Sequence, residues 1–205
     1  MMQFLDPEFL IRSLGLFGVF AIIFAETGFP AGFFLPGDTL LLATGVLAAQ
    51  GAFPLWAAIV CIFFAGALGY IVGYAIGKRA GISLFTRKNS FFFKREYIAK
   101  AEHFYEKHGA KTIFFARFIP IIRTFAPTVA GIGQMKYSKF SFFNISGAAF
   151  WAVLIPSVGY FFGSRIPNIE KYIAPTVLIV ILLSFGSVLV QFLREKYRKS
   201  SSPEV

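Results

Sequence analysis

The sequence predicts an all-α, polytopic membrane protein in which two of six hydrophobic segments are broken rather than straight. Three observations lead to this fold class. Of the 205 residues, 57% are hydrophobic, and they form long, nearly uncharged runs that reach the length of about 20 residues needed to cross a hydrocarbon core. Prolines and glycines interrupt two of these runs. Basic residues are concentrated in one long loop and in the C-terminal tail.

Four segments have the composition of ordinary spanning helices, and we expect the first of them to be retained, since acidic residues precede it where a secretory signal carries basic ones. They cover residues 9–25, 53–77, 140–162 and 172–193. Small residues recur at every fourth position of the segment 53–77, namely at Ala65, Gly69, Gly73 and Gly77. This spacing lets another helix approach closely. That helix can belong to the same chain or to a second copy, so a homo-oligomer stays open.

The segments 26–50 and 112–135 contain the residues that break helices. These are Pro30, Pro36 and Gly37 in the first segment and Pro120, Pro127 and Gly131 in the second. Proline removes a helix hydrogen bond and bends the chain. Non-helical backbone at membrane depth persists only inside protein or beside water. We therefore predict two re-entrant hairpins, with straight but kinked spans as the alternative.

The basic residues indicate how the chain is oriented. Lys and Arg are frequent in the segment 78–111 and in the tail 194–205, and short basic segments face the cytoplasm. With both termini also cytoplasmic, the two hairpins enter from opposite faces, as in the inverted repeats of transporters. The net charge of +10 is then explained by topology and by contact with anionic lipid. Nucleic acid is not expected as a partner.

Residues 1–205 are predicted to form a single membrane domain, and nothing in them indicates an enzyme. Within the basic segment, aromatic residues fall on one face of residues 94–108, which predicts an amphipathic cytoplasmic helix at the membrane surface. The one cysteine, Cys61, and the two histidines form no metal-ligand pattern. No nucleophile–base set or phosphate-binding loop is present either. We expect no cofactor and no metal.

Four ionisable residues inside the broken segments are the candidates for function. They are Glu26 and Asp38 in the first segment and Arg117 and Arg123 in the second. A charge at the centre of a spanning helix costs about 2.5–3.5 kcal/mol, so these residues need pairing, hydration or protonation. Mutual neutralisation would merely fix the hairpins together. Alternatively, the arginines bind phosphate oxygens while the carboxylates carry protons. Further polar contacts are offered by Thr39, Thr124 and Asn144.

The two broken segments resemble the motifs of the DedA family, also called SNARE-associated or VTT-domain membrane proteins. One match is ETGFPAGFFLPGD, from Glu26 to Asp38, and the other is FARFIPIIRTFAPTVAG, from Phe115 to Gly131. The resemblance implies two opposed re-entrant hairpins in the bacterial cytoplasmic (inner) membrane. It also implies a flippase that moves undecaprenyl phosphate, or a phospholipid such as phosphatidylethanolamine, with the help of the proton motive force.

By residue match, the resemblance makes Glu26 and Asp38 the proton-linked acids and Arg117 and Arg123 the essential arginines, which we expect to hold the lipid headgroup. Three other functions stay open on the sequence alone. They are a phosphatidylethanolamine flippase or scramblase, a proton-coupled antiporter of small ions, and a scaffold in which the charges only join the hairpins. The direction and stoichiometry of transport are not encoded in these motifs.

Overall fold

The computed structural model describes residues 7–29, 32, 37–86, 105 and 109–166, and every regular element within them is a helix. The helices are α1 (Pro7–Gly28), α2 (Gly37–Ala49), α3 (Leu55–Thr86), α4 (Thr112–Ala116), α5 (Pro120–Ile132) and α6 (Tyr137–Gly163). The predicted all-α class is confirmed. Among the described residues, two helices are long and apolar enough to cross a membrane, over Leu55–Ala80 in α3 and over the whole of α6.

The regular segments run somewhat further than the hydrophobic pattern predicts. Helix α6 closely matches the prediction of 140–162, whereas α3 continues nine residues past Gly77 to Thr86. Helix α1 runs on to Gly28 through a kink at Gly15, where φ is 58°, a conformation that glycine adopts at little steric cost. Outside the described residues lie the predicted span 172–193, the tail 194–205 and, apart from Tyr105, the predicted amphipathic helix 94–108.

In both predicted broken segments a first helix ends and a second begins after an interruption. Helix α1 ends at Gly28 and α2 begins at Gly37, while α4 ends at Ala116 and α5 begins at Pro120. Proline is well suited to the first turn of a helix, because its missing N–H would have no intrahelical partner there. Whether these segments are re-entrant stays a prediction. Pro30 and Pro36 lie outside the described residues.

The prediction that Pro127 and Gly131 break the second segment is wrong. Both residues lie inside α5, which continues from Pro120 to Ile132. Pro127 removes a single helix hydrogen bond, and its buried ring packs on α3, where a β-carbon at Gly73 would lie 3.0 Å from its Cγ. Packing of the whole helix therefore outweighs the missing bond, and the break falls before Pro120 instead.

Helices α2 and α5 each pack mainly against the long helix of the other half of the chain. Helix α2 lies on α6, and α5 lies on α3. Glycines bring the backbones together at both crossings: a β-carbon at Gly159 would lie 3.3 Å from Gly45 Cα, and one at Gly131 would lie 3.0 Å from Gly77 C. Such an exchange of partners is expected of two related halves.

The stripe of small residues on α3 packs against other helices of the same chain. A β-carbon at Gly69 would lie 3.1 Å from Thr27 Cβ on α1, and one at Gly77 would lie 2.9 Å from Thr128 Cα on α5. The stripe thus lets α1 and α5 approach α3 closely, which the spacing of small residues predicted.

Replacing Gly131 with valine is expected to destabilise the protein by about 1–3 kcal/mol, the usual range for overpacking. The new β-carbon would overlap the backbone of α3, at about 2.6 Å from Lys78 N. Thermal unfolding in detergent measures the effect. Ile122→Val on the exposed side of the same helix, where Ile122 is 46% exposed, is the matched control and should change little. An unaltered unfolding temperature for Gly131→Val would contradict the close approach.

Candidate functional site

The two helix interruptions, between α1 and α2 and between α4 and α5, bring the four predicted charged residues into the helix bundle. Glu26 lies in the last turns of α1 and Asp38 in the first turn of α2, while Arg117 directly follows α4 and Arg123 lies in the first turn of α5. Both arginines are 2% exposed, and Glu26 is 4% exposed. The side chain of Asp38 is 31% exposed, so it lies at the edge of the cluster.

Arg123 binds both carboxylates at once. One terminal nitrogen of its guanidinium donates to Asp38 Oδ1 and the other donates to Glu26 Oε1. This ion pair joins α1, α2 and α5 across the two halves of the chain. Asp38 also gains from the partial positive charge at the start of α2. Gly37 is required beside it, because a β-carbon there would overlap the Glu26 carboxylate.

Arg117 is held in a different way, by neutral groups alone. Its Nη2 donates to the backbone oxygen of Gly66, at 3.1 Å, and to Asn144 Oδ1. Its Cζ lies 3.8 Å from the centroid of the Tyr70 ring, within the range of a cation–π interaction. Asn144 is itself fixed by a 3.1 Å bond from its Nδ2 to the Ala67 oxygen. Within the described part of the chain, Arg117 has no carboxylate at ion-pair distance.

The two arginines are therefore not equivalent, although the sequence predicted the same role for both. The two carboxylates do not neutralise both arginines, because Glu26 and Asp38 both form their ion pair with Arg123. Arg117 fits a space that only small residues leave open, as a β-carbon at Gly66 would lie 3.1 Å from its Nη1 and one at Gly147 would lie 3.2 Å from its Cδ. Its position is set by packing and hydrogen bonds rather than by charge.

The other predicted polar residues lie close to these charges. Asn144 binds Arg117 directly, Thr124 is buried next to Arg123 in α5, and Thr39 is partly buried next to Asp38 in α2.

Sequence reasoning missed two aromatic residues that complete the site. The ring of Trp151 lies under both guanidiniums, with its centroid 5.4 Å from Arg123 Cζ and 5.9 Å from Arg117 Cζ. Tyr70 lies under Arg117 in the middle of α3. A polar aromatic residue at the centre of a spanning segment was the signal that could have found Tyr70.

Four buried polar atoms of this cluster make no hydrogen bond with any group of the described residues. They are Glu26 Oε2, Tyr70 Oη, Arg117 Nε and Arg123 Nε. Buried polar atoms in folded proteins are normally hydrogen-bonded, so four exceptions in one cluster indicate unused capacity for a ligand. Three of these atoms are donors, and one is a carboxylate acceptor. Such a set suits an oxyanion that also carries a proton.

A cavity of about 660 Å³ lies at a different place, beside the end of the basic segment 78–111 that is predicted to face the cytoplasm. It is lined by Tyr105, Gly109, Ala110, Gly133, Gln134, Met135, Lys136 and Lys139. The hydroxyl of Tyr105 donates to Ala126 O at 3.0 Å, and burial raises the pKa of this phenol, so the hydroxyl stays a donor. None of the four charged residues of the cluster lines this cavity. Both arginines and Glu26 are closed off from solvent, with Asp38 at the edge.

Comparison with known proteins places similar sequences in membranes. The VTT domain matches residues 35–161. Protein DedA of Escherichia coli (strain K12) is 42% identical over 180 residues, which cover 87% of this chain and 82% of that protein. Inner membrane protein YqjA of the same strain is 33% identical over 190 residues, covering 88% of this chain and 85% of that protein. An uncharacterized membrane protein of Mycobacterium leprae (strain TN) is 37% identical over 194 residues, covering 91% and 86%. No solved structure matches significantly.

Proposed function

The chain belongs to the VTT-domain, or DedA, family of membrane proteins, and from this premise we propose that it is a lipid translocase that moves a phosphate-bearing lipid between leaflets. The lipid is undecaprenyl phosphate, and its transfer is coupled to protons. One observation supports this proposal above the others. Arg123 holds both carboxylates of the cluster, whereas the equally buried Arg117 has no carboxylate partner among the described residues.

A phosphate group would supply the anion that Arg117 lacks. The guanidinium is planar, always charged and matched to phosphate oxygens. A buried charge is tolerated when it is paired and hydrogen-bonded, and the bonds to Gly66 and Asn144 already orient this one. A lipid phosphate is therefore a ligand that the site can recognise by charge and geometry together.

The surface around the interruption between α4 and α5 suits the hydrocarbon tail of the same lipid. Large apolar side chains are exposed on both sides of Arg117 and Arg123, namely those of Phe115, Phe118, Ile119, Ile122 and Phe125. In the sequence, these apolar residues lie before, between and after the two buried arginines. The same short stretch thus directs two cations inward and five apolar side chains outward, as a carrier for a charged head on a long tail requires.

The observed arrangement is closed, so transport needs a second state. Arg117 and Arg123 are each 2% exposed, and a headgroup reaches them only when the helices around them separate. A proton on Glu26 or Asp38 removes one of the two negative charges that hold Arg123, and with it the ion pair that joins α5 to α1 or to α2. Protonation would then shift a two-state equilibrium toward the open form.

Two alternatives use the same residues. A phosphatidylethanolamine flippase or scramblase would bind a phosphate diester at Arg117. A proton-coupled antiporter of small ions would use the carboxylates bound to Arg123 and would need no opening toward lipid.

Purified protein in liposomes distinguishes these functions. Transfer of fluorescent polyprenyl phosphate and of fluorescent phosphatidylethanolamine is measured with and without a pH gradient. We expect faster transfer of the polyprenyl phosphate and acceleration by the gradient, which Glu26→Gln should abolish. Arg165→Gln is the control variant, because Arg165 is an exposed cation beyond the end of α6. Equal transfer of both lipids would indicate a scramblase, and ion-dependent proton flux without lipid transfer would indicate the antiporter.

A further inference from the structure

We infer that Tyr70 is a third headgroup-binding residue, whose hydroxyl donates a hydrogen bond to a phosphate oxygen of the lipid that Arg117 holds. The inference deepens the proposed function and rests on it. It concerns a residue that neither the sequence motifs nor the charge pattern indicated, since Tyr70 lies outside both broken segments, in the middle of α3.

The hydroxyl of Tyr70 is buried and has no hydrogen-bond partner in the described structure. The residue is 0% exposed, and its Oη makes no hydrogen bond with any described group. A buried hydroxyl without a partner is unfavourable. Phenylalanine at this position would avoid the penalty.

Packing accounts for the ring of Tyr70 but leaves the hydroxyl unexplained. The ring supports the Arg117 guanidinium, with Cζ 3.8 Å from the centroid, and the face of a phenylalanine ring would serve equally in a cation–π contact. Only the oxygen atom distinguishes the two residues. Its use must therefore be sought in something that the site binds.

The surroundings of the hydroxyl identify that ligand as an oxyanion. Tyr70 is close enough to Arg117, Arg123 and Glu26 to interact with each electrostatically. The Nε atoms of both arginines are unpartnered N–H donors in the same cluster. Three residues of the cluster thus have an unpartnered donor, and phosphate oxygens accept several hydrogen bonds at once.

Glu26 narrows the ligand to a phosphate monoester. Its Oε2 is the one acceptor among the four unpartnered atoms of the cluster. A monoester phosphate has a second pKa of about 6, so its monoanion retains a P–OH group that can donate to this oxygen. The phosphate of a diester has no such proton. The set therefore favours a polyprenyl phosphate over the phosphodiester of a phospholipid.

Tyr74 provides a matched control one turn further along the same helix. Its hydroxyl donates to the backbone oxygen of Met135 at 2.6 Å and thus has a structural role. Removing one oxygen atom from each tyrosine should give opposite results. Tyr70→Phe removes a group that only the ligand uses, whereas Tyr74→Phe removes a bond that joins α3 to the segment before α6.

The test compares wild-type protein, Tyr70→Phe and Tyr74→Phe in detergent, using a short-chain polyprenyl phosphate as the probe. Thermal unfolding without the probe reports the fold, and titration with the probe reports its affinity. We expect Tyr70→Phe to unfold at or above the wild-type temperature and to bind about tenfold more weakly, the loss of one good hydrogen bond. Tyr74→Phe should unfold at a lower temperature and bind as the wild type does.

Three results would overturn the inference, and they separate it from the proposed function. Wild-type affinity in Tyr70→Phe would remove Tyr70 from the site while leaving the lipid carrier intact. Loss of affinity together with loss of stability in Tyr70→Phe would give the hydroxyl a structural role. Failure of the wild-type protein to bind the probe, or preferential binding of phosphatidylethanolamine in a parallel titration, would overturn the proposed monoester substrate as well.

Discussion

Replacing Arg123 with glutamine should cause the largest loss of stability of any single change in the site and should abolish lipid transfer. The substitution leaves the carboxylates of Glu26 and Asp38 without their cation, and Glu26 is almost fully buried. Removing one partner of a buried ion pair costs about 3–5 kcal/mol. Thermal unfolding in detergent and transfer of polyprenyl phosphate in liposomes measure the two effects.

A charge-neutral triple variant separates the structural role of Arg123 from its transport role. Arg123→Gln combined with Glu26→Gln and Asp38→Asn replaces the ion pairs with amides that can still hydrogen-bond one another. We expect this variant to recover most of the lost stability, because no uncompensated charge is left, but to remain inactive. Arg165→Gln should retain both properties. Wild-type stability in the single Arg123→Gln variant would show that the ion pairs do not join the two halves.

Replacing Arg117 with lysine is the second change with a large expected effect, this time on transport. Lysine keeps the charge but has no planar fork, so it cannot stack on Tyr70 while donating to Gly66 and Asn144. We expect transfer of polyprenyl phosphate to fall by about tenfold to a hundredfold, as a charged hydrogen bond is worth about 1.5–3 kcal/mol. Initial rates at several lipid concentrations should show mainly a raised apparent KM.

The same variant distinguishes a headgroup-binding role of Arg117 from a purely structural one. If Arg117 only held the helices together, any cation of similar length at position 117 would suffice. Undiminished transfer by Arg117→Lys would then give Arg117 a structural role and contradict the binding site. Arg117 is held by neutral groups. We therefore expect the unfolding temperature of Arg117→Lys to fall by much less than that of Arg123→Gln.

The sequence identified the charged residues of the site but not their pairing. Charges in hydrophobic segments are conspicuous because each is unfavourable there. Three of the four are buried in one cluster, and Asp38 lies at its edge. Which arginine meets which acid depends on the rotation and spacing of packed helices. The helix is interrupted between Arg117 and Arg123, because α4 ends at Ala116 and α5 begins at Pro120. Helical periodicity therefore could not place the two arginines relative to each other.

Local composition also predicted helix breaks better than it predicted helix continuity. Pro120 begins a helix, whereas Pro127 lies inside one, although both looked alike as breakers. The difference is tertiary, because α5 packs along α3 over its length. The small-residue stripe likewise predicted close approach without naming α1 and α5 as the partners. The position of Tyr70 in the middle of a spanning segment was a signal, but only the structure shows that its hydroxyl has no partner among the described residues.

Transfer of fluorescent polyprenyl phosphate across liposomes that contain the wild-type protein or Arg117→Lys tests the central claim most directly. The account predicts rapid transfer by the wild-type protein, acceleration by a pH gradient, and at least about tenfold slower transfer by the variant at low lipid concentration. Equal rates for the two proteins, or no transfer above protein-free liposomes by a folded wild-type protein, would contradict a phosphate-binding lipid carrier built on the buried arginines.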